Sequence, residues 1–368
     1  MAYRVPFVDY PAHYRSMEKE IDAAIKEVLS NGDLIMRQQM LDFENSMASF
    51  LGVKYGIGVN SCTDALTFCL MAAGVKAGDE VITVAHTFVA TIEAVVHAGA
   101  TPVLVDVGED FNMDMEKAEQ AVTSKTRVIM PVHLNGRVCD MEKLTVIAKK
   151  HNLAVIEDSA QALGAMFDGK KGGAFGLAGC FSFYPAKILG AAGDGGLVST
   201  NDEKIAEKIR LLRDHGRKNK DEIACYGFTS RLDNLQSAIL NVKFKYLPGW
   251  IKRRRHFAGL YEKGLSDIPD VKLPPSPEGD ARYFDIYQNY VLRVKRRDEL
   301  AAYLKENGIE VIISNPVPVH HQKALGLSHF RLPNTKQFAK EVISVPNIPE
   351  LTDNQIEYAI QAIRKFYK

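Results

Sequence analysis

The chain has 368 residues, of which 46% are hydrophobic and 25% charged, and its formal net charge is +1. The length suggests two domains, and the charge balance gives no reason to expect nucleic acid or an anionic membrane as a partner. No run of about 18 apolar residues predicts a membrane span, and the N-terminus lacks the apolar core of a signal peptide. The five cysteines form no CxxC pair, which argues against a zinc site and a disulfide framework. We therefore expect a reduced, cytoplasmic protein without a metal site.

In the first part of the chain, short apolar runs alternate with helical patterns. Strands are predicted at 55–60, 79–85, 101–107, 126–134 and 153–159, and helices at 61–74, 87–99 and 141–152. Strands separated by helices of this length indicate a mostly parallel sheet that is covered on both faces.

The second part of the chain has longer and more charged helical patterns. They cover 202–216 and 233–265, and they are followed by a predicted strand at 287–294, a helix at 297–308 and a terminal helix capped by Thr352. The run KRRRH (252–256) lies in one of these patterns and is interpreted as a solvated face. We predict a large domain over residues 1–245 and a smaller C-terminal α/β domain over 246–368, with residues 1–30 packed against the small domain.

Residues 59–66, VNSCTDAL, form a predicted strand-to-helix turn. Its backbone N–H groups, together with the hydroxyls of Ser61 and Thr63, can bind an anion at a helix N-terminus. An ordinary capped helix is the alternative, because serine is among the preferred N-cap residues.

Two charged residues follow at the ends of apolar strands. Asp158 lies in VIEDSAQALGA, at the carboxyl end of a predicted strand, where ligands bind in open α/β sheets. A buried carboxylate there needs a partner, although a helix cap or a structural ion pair would also use it. Lys187 follows the predicted strand CFSFYP, with Ser182 five residues before it. A desolvated lysine can form a Schiff base, whereas a lone lysine is ordinarily solvated.

These three features together satisfy the needs of pyridoxal 5′-phosphate (PLP). Its phosphate needs a helix N-terminus, its pyridine nitrogen a carboxylate, and its aldehyde a lysine. The combination is far more specific than any of its parts, and the glycines of GAAGDGG would let the chain fold closely around the lysine.

The sequence resembles the DegT/DnrJ/EryC1/StrS family of PLP-dependent nucleotide-sugar aminotransferases nearly from end to end. The resemblance is carried by FLGVKYGIGVNSCTDAL, GDEVITVAHTFVAT, PVHLNGRVCDM, VIEDSAQALGA, FSFYPAKILGAAGDGG, RLDNLQSAIL and NPVPVHHQ. It implies the PLP-dependent transferase architecture of fold type I: a large domain with a mostly parallel, seven-stranded sheet between helices, and a smaller C-terminal α/β domain.

The resemblance also implies roles for individual residues. Lys187 would bind the cofactor aldehyde and shuttle protons, and Asp158 would keep the pyridine nitrogen protonated. Gln161 would lie near the phenolic oxygen and Phe88 would stack on the ring, although a core position is commoner for a single phenylalanine. The implied phosphate contacts are Ser61, Cys62, Thr63, Ser182 and Thr229. Thr229 would reach the neighbouring subunit, which makes the functional unit a homodimer with shared sites.

This chain departs from the family pattern at three positions. Cys62 replaces a usual glycine, Thr229 replaces a phosphate-contacting asparagine, and Ser314-Asn315-Pro316 replaces a Tyr-Pro or His-Tyr-Pro motif. The implied substrate contacts are Arg231, His320 and Tyr184. A buried and satisfied histidine is the alternative for His320. Further cationic candidates for a carboxylate or a diphosphate, each of which can equally be solvated charge, are Arg217, Lys218 and Lys220.

Relatives that act as dehydratases have a histidine at the position of Lys187, so the lysine favours transamination. L-glutamate would convert the cofactor to pyridoxamine 5′-phosphate, which would then aminate a nucleotide-linked keto-deoxysugar destined for a glycan such as lipopolysaccharide or O-antigen. We predict a 3-keto substrate. The alternatives are amination at C-4 of a 4-keto-6-deoxy sugar and a non-catalytic, PLP-binding regulatory relative. A dinucleotide-binding protein is disfavoured, because VNSCTDAL lacks the GxGxxG pattern.

Overall fold

The computed structural model describes residues 3–368. The α-helices are α1 (Tyr10–Arg15), α2 (Glu18–Asn31), α3 (Gln38–Leu51), α4 (Cys62–Ala72), α5 (Ala90–His97), α6 (Met115–Gln120), α7 (Met141–His151), α8 (Glu203–Arg213), α9 (Asn234–Phe244), α10 (Leu247–Leu265), α11 (Arg297–Glu306), α12 (Pro333–Glu341) and α13 (Asp353–Tyr367). The strands are β1 (Tyr55–Val59), β2 (Glu80–Val84), β3 (Thr101–Val105), β4 (Thr126–Ile129), β5 (Ala154–Asp158), β6 (Met166–Phe167), β7 (Lys170–Lys171), β8 (Ala178–Ser182), β9 (Gly196–Thr200), β10 (Val271–Lys272), β11 (Tyr283–Phe284), β12 (Tyr290–Val294) and β13 (Val342–Val345). None of the helices within this range is both long and apolar enough to cross a membrane.

The central sheet has the strand order β1-β9-β8-β5-β4-β2-β3. Strands β8, β5, β4, β2 and β3 pair in parallel, whereas β9 is antiparallel to both of its neighbours. The predicted mostly parallel, seven-stranded sheet is confirmed. The carboxyl ends of β1, β8, β5, β4 and β2 therefore meet at one edge, together with the beginning of β9, and this edge is where a ligand is expected.

Both faces of this sheet are buried. Because successive side chains of a strand point to opposite faces, Val81 and Ile82 of β2 enter two different hydrophobic clusters. Cys180 and Phe181 of β8 divide in the same way. The strands are apolar on both sides for this reason, as is usual for parallel sheets covered by helices.

A separate hydrophobic cluster lies around the antiparallel sheet β10-β12-β13. It includes Val5 from the N-terminal segment, which pairs with Ile309. Helix α10 contributes Leu247 to a hydrophobic cluster of the central sheet, and it contributes Phe257 to the cluster around β10-β12-β13. The domain boundary at residue 246 stays a prediction, since this one helix belongs to both cores.

The structure corrects several predicted element bounds, among them the end of β4, which lies at Ile129 rather than at residue 134. The pattern 233–265 contains two helices, α9 and α10, and the second begins one residue before Pro248, whose ring suits a first turn. Strand β8 ends at Ser182, so CFSFYP is not a strand throughout, and Lys187 lies beyond it in a turn. Strand β12 begins at Tyr290 rather than at 287, because Tyr287 has a φ of 50°, which no strand accommodates.

Candidate active site

Sheet register brings the predicted anion-binding turn next to Ser182. Ser182 pairs with Gly196 on β9, and Gly196 pairs with Val59 at the end of β1. A Cβ on Gly196 would lie 2.4 Å from the backbone carbonyl carbon of Ser61. Glycine is therefore required where β9 passes against the turn, and the glycine-rich segment contributes close packing.

The turn itself leaves hydrogen-bond donors available. Ser61 is the N-cap of α4, and its hydroxyl oxygen accepts the Asp64 N–H at 3.1 Å. The N–H groups of Cys62 and Thr63, in the first turn, have no intrahelical acceptor. Burial raises the pKa of the Cys62 thiol well above its usual range, so the side chain adds no negative charge here. A helix N-terminus of this kind favours an anion such as a phosphate.

Ser182 adds a hydroxyl on the other side of the turn. Its oxygen accepts the Tyr184 N–H at 3.3 Å, a bond that does not use the hydroxyl proton. The proton can therefore be donated to an anion bound at the N-terminus of α4.

Asp158 is buried at the carboxyl end of β5, with 5% of its surface exposed. Its Oδ2 accepts the Thr91 hydroxyl at 2.8 Å, and its Oδ1 accepts the Ala160 N–H at 3.2 Å. Burial raises the pKa of this carboxyl, and the two hydrogen bonds and the nearby Lys187 act in the opposite direction. A buried carboxylate in this state is stabilised by a cation, which a protonated pyridine nitrogen supplies.

Lys187 lies in the turn that follows β8, and its N–H donates to the Tyr184 carbonyl at 2.8 Å. Burial lowers the pKa of its amine, while the nearby Asp158 acts to raise it. Asp158 pairs with Cys180 on β8, and Gly196 pairs with Ser182 and lies against the turn at Ser61. The ends of β5 and β8 and the N-terminus of α4 therefore lie at one sheet edge. A lowered pKa increases the fraction of neutral amine, which is the nucleophilic form.

Gln288 clamps the peptide groups on both sides of Lys187. Its Oε1 accepts the Ile188 N–H at 2.7 Å, and its Nε2 donates to the Ala186 carbonyl at 3.0 Å. The backbone carbonyl of Gln288 accepts from Arg254 at 2.9 Å. Arg254 is buried and burial lowers its pKa to about 10, so the interpretation of 252–256 as a solvated face is wrong for this residue. The clamp holds the lysine turn against the C-terminal part of the chain.

A buried histidine and a buried glutamate stabilise the backbone next to the end of β5. His133 Nδ1 accepts the Cys139 N–H at 3.1 Å, so Nε2 carries the proton and donates to Glu157 Oε2 at 2.9 Å. Glu157 also accepts, each at 2.7 Å, the backbone N–H groups of Gly173, Phe175 and Gly176. This carboxylate is thus fully used in holding the segment 173–176, and it is not available for chemistry.

Gln161 and Phe88 flank the same sheet edge. Gln161 follows Asp158 by three residues, and its Oε1 accepts the Asn135 N–H at 2.8 Å. Phe88 lies between β2 and α5 and is 66% exposed, so a core position is excluded for it. Its backbone carbonyl accepts the Thr91 N–H at 3.2 Å, and its exposed ring is available for stacking on a bound aromatic group.

The remaining predicted residues lie further out or are already engaged. Thr229 is exposed, and its hydroxyl is 3.0 Å from His215 Nε2. Arg231 donates to Asp214 at 2.7 Å, so its charge is paired. His320 is 1% exposed, and its Nδ1 has no hydrogen-bond partner within residues 3–368, so the satisfied-histidine alternative is wrong at that atom.

Among the exposed residues that were predicted as substrate contacts, some are paired with another side chain and others are not. Tyr184 is 54% exposed and lies two residues beyond the end of β8. Lys218 pairs with Glu222 at 3.2 Å, whereas Arg217 and Lys220 lie exposed in the same loop. The part of the chain that the structure describes contains no group of three or more His, Cys, Asp or Glu side chains that could hold a metal ion.

Several supporting residues were not predicted from the sequence, among them Thr91, Gln288 and Arg254. Thr91 carries no signal beyond a second threonine four positions after Thr87. Gln288 is only a polar residue ahead of an apolar strand. Arg254 had a signal, because it stands three residues after Ile251 and three before Phe257, on the buried stripe of α10.

The buried carboxylate, the desolvated lysine and the helix N-terminus with its neighbouring hydroxyl fit the three polar groups of PLP. With the seven-stranded sheet that positions them, they define a PLP-dependent aminotransferase of fold type I. The chain belongs to the DegT/DnrJ/EryC1/StrS aminotransferase family, whose model matches residues 15–364.

Individual relatives are similar along almost their whole length. A pleiotropic regulatory protein of Geobacillus stearothermophilus is 43% identical, with 99% of both chains covered. The dTDP-3-amino-3,4,6-trideoxy-alpha-D-glucose transaminase of Streptomyces venezuelae is 39% identical, with 99% of this chain and 96% of the relative covered. A UDP-N-acetyl-3-dehydro-alpha-D-glucosamine 3-aminotransferase of Acidithiobacillus ferrooxidans is 40% identical, with 98% and 97% covered. The solved structure of S. venezuelae DesV in complex with a ketimine intermediate has a TM-score of 0.96 at 38% identity and covers 100% of this chain and 99% of that one. The predicted family, fold class and cofactor are confirmed.

Proposed function

We propose that this protein transfers an amino group from L-glutamate to C-3 of a nucleotide-linked keto-deoxysugar. The observation that carries the proposal is the sheet register, which brings Asp158, the turn of Lys187 and the N-terminus of α4 to one sheet edge. The choice of C-3 is supported by the names of the two transaminase relatives, both of which specify a 3-amino product or a 3-amino transfer. A C-4 substrate remains the alternative.

Bound PLP supplies an electron sink that lets an amino acid lose its α-proton and exchange its amino group. Asp158 would hold the pyridine nitrogen in its protonated form, because its carboxylate is buried and anchored by two hydrogen bonds. Lys187 would hold the cofactor's aldehyde through its amine and would serve as the general acid and base. The N–H groups at the start of α4 and the Ser182 hydroxyl would hold the phosphate, and Phe88 would contact the ring.

We also propose that the active unit is a homodimer. The loop 217–231 carries three exposed apolar side chains: Ile223 is 70% exposed, Tyr226 100% and Phe228 45%. Large exposed apolar groups of this kind favour burial against a partner, and a second copy of the chain fits this need. Thr229 lies in the same loop, so its hydroxyl would reach the phosphate site of the partner. A light-scattering measurement that finds an active monomer would contradict shared sites.

The anionic groups of the two substrates need cationic partners. Arg217 and Lys220 are exposed in the loop 217–231 and are the proposed contacts to the diphosphate or the donor carboxylate. Arg231 is a weaker candidate, because its guanidinium already donates to Asp214. His320 is proposed to contact the sugar, since its Nδ1 has no hydrogen-bond partner among residues 3–368.

A second candidate function is regulation without catalysis. The name of the Geobacillus stearothermophilus relative favours it. The presence of Lys187, Asp158 and Gln161 weighs against a loss of catalysis, because a protein that only binds the cofactor has no need of a desolvated proton carrier.

The test is turnover with L-glutamate against a panel of 3-keto and 4-keto nucleotide sugars, with Lys187→Ala as the matched control. We expect amination of a 3-keto sugar by the wild type and none by the variant. Amination of 4-keto sugars alone would overturn the choice of C-3. Full PLP loading without turnover on any sugar would favour the regulatory candidate.

A further inference from the structure

Two threonine hydroxyls form a buried chain that ends on Asp158. The Oγ1 atoms of Thr87 and Thr91 are 2.8 Å apart, and Thr91 Oγ1 is 2.8 Å from Asp158 Oδ2. Thr87 is 2% exposed and Thr91 is 1% exposed, so water does not compete for these bonds. The chain is therefore a fixed part of the carboxylate's environment.

The direction of this chain follows from proton counting. An ionised carboxylate only accepts hydrogen bonds, so Thr91 must use its single proton on Asp158. Thr91 is then left as an acceptor, and Thr87 must donate to it. Aligned hydroxyls polarise one another in a low-dielectric interior, which strengthens the last bond to the carboxylate.

The residue at the far end of this hydrogen-bond chain, Thr87, is hydrogen-bonded to the C-terminal part of the protein. The backbone carbonyl of Thr87 accepts from Asn315 Nδ2 at 2.8 Å. Asn315 has a φ of 50°, a conformation that asparagine tolerates better than most residues. The position of the segment around Asn315 is thus connected through Thr87 and Thr91 to Asp158.

Other groups around Asp158 approach it from different elements. Lys187 and His133, in the turns after β8 and β4, influence the pKa of Asp158. Asp158 in turn influences the pKa values of the thiols of Cys62 on α4 and Cys180 on β8. Among residues 3–368, only Thr91 and the Ala160 N–H donate hydrogen bonds to its carboxylate oxygens. Of these two donors, only Thr91 is a side chain, so a mutation can remove its hydrogen bond without changing the backbone.

We propose that Thr91 is a positioning residue that keeps the Asp158 carboxylate ionised and fixes its rotation toward the pyridine nitrogen, with Thr87 and Asn315 holding Thr91 in turn. The proposal rests on the proposed function for the presence of PLP, but not on which sugar is aminated.

The test compares Thr91→Val, which has nearly the same shape without the hydroxyl, with Thr91→Ser, which keeps it. The dissociation constant of PLP from the apo protein and the pH dependence of that constant are measured by absorbance. Thr91→Val should weaken binding about tenfold, the loss expected for one hydrogen bond to a charged group. The low-pH limit of binding should move to higher pH, because a carboxylate that loses a donor holds its proton more tightly. Thr91→Ser should restore both properties.

Two further variants keep the proposal testable. Thr87→Val and Asn315→Asp, which removes the amide donor, should shift affinity and pH limit in the same direction by a smaller factor. Wild-type PLP affinity and pH limit in Thr91→Val would overturn the proposal, and so would a failure of Thr91→Ser to restore them. If Thr91→Val does not fold, an unchanged PLP affinity in Thr87→Val overturns it instead. Inactivity of the wild type on every keto sugar, with these shifts intact, would contradict the proposed function alone.

Discussion

Replacing Gln288 with methionine tests whether the lysine turn is held from the C-terminal part of the chain. Methionine has a similar volume, but it removes both the acceptor for Ile188 and the donor for Ala186. The Ile188 N–H is buried and would lose its partner, at a cost of about 1–3 kcal/mol. The Ala186 carbonyl is only partly buried and can turn toward water, so it adds little.

The turn would relieve this cost by moving, and Lys187 moves with it. A loss of about 2 kcal/mol in cofactor binding corresponds to an approximately thirtyfold weaker PLP affinity. The assay is an absorbance titration of the apo variant with PLP, accompanied by chemical denaturation. Asn289→Ala is the matched control, because this neighbouring side chain makes a 3.5 Å contact to Asn135 and does not touch the turn. A Gln288→Met protein that is less stable but binds PLP as tightly as the wild type would refute the positioning argument.

Three other predictions concern buried charges. Burial lowers the pKa of Lys243 to about 8, against 10.5 for the free side chain, so above pH 8 the unfolded state holds one more proton than the folded state. The unfolding free energy of the wild type, measured relative to Lys243→Met, should therefore rise with pH by up to about 3 kcal/mol. If the difference in unfolding free energy between the two proteins stays constant from pH 7 to 9.5, this prediction is contradicted. Glu157→Gln should lower the unfolding free energy by about 3 kcal/mol or more, because an amide cannot accept all four hydrogen bonds; a loss under about 1 kcal/mol would count against the argument. Arg213→Met leaves Glu44 buried without its 2.5 Å partner and should cost about 3–5 kcal/mol, while the double variant with Glu44→Gln should recover part of the loss.

The fold and the centre of the site could be predicted because their signals are local in the sequence. Apolar runs alternating with helical patterns define the parallel sheet, and its strand ends carry Ser61, Asp158 and Ser182 within short motifs. The motif predicts Lys187 as part of this centre, and the structure puts it in a turn just beyond β8 rather than at the end of a strand. That error arose because Phe183 and Tyr184 continue the apolar pattern of β8 beyond its end at Ser182.

The supporting residues could not be predicted, because their partners are distant in sequence. Ile188 and Gln288 are separated by 100 positions, and Thr91 and Asp158 by 67. Each pairing depends on tertiary register, which periodicity within one segment does not contain. The left-handed backbone of Tyr287, which delays the start of the predicted strand to Tyr290, is equally invisible, since tyrosine rarely adopts it.

The absorbance of the PLP-loaded protein on addition of L-glutamate tests the central claim most directly. The account predicts a yellow protein whose long-wavelength absorbance disappears with glutamate, as the cofactor becomes the pyridoxamine form, and returns with a nucleotide-linked keto sugar. Lys187→Ala should show neither change. A wild-type protein that binds PLP but whose spectrum responds to no amino donor would contradict the assignment of this chain as an aminotransferase.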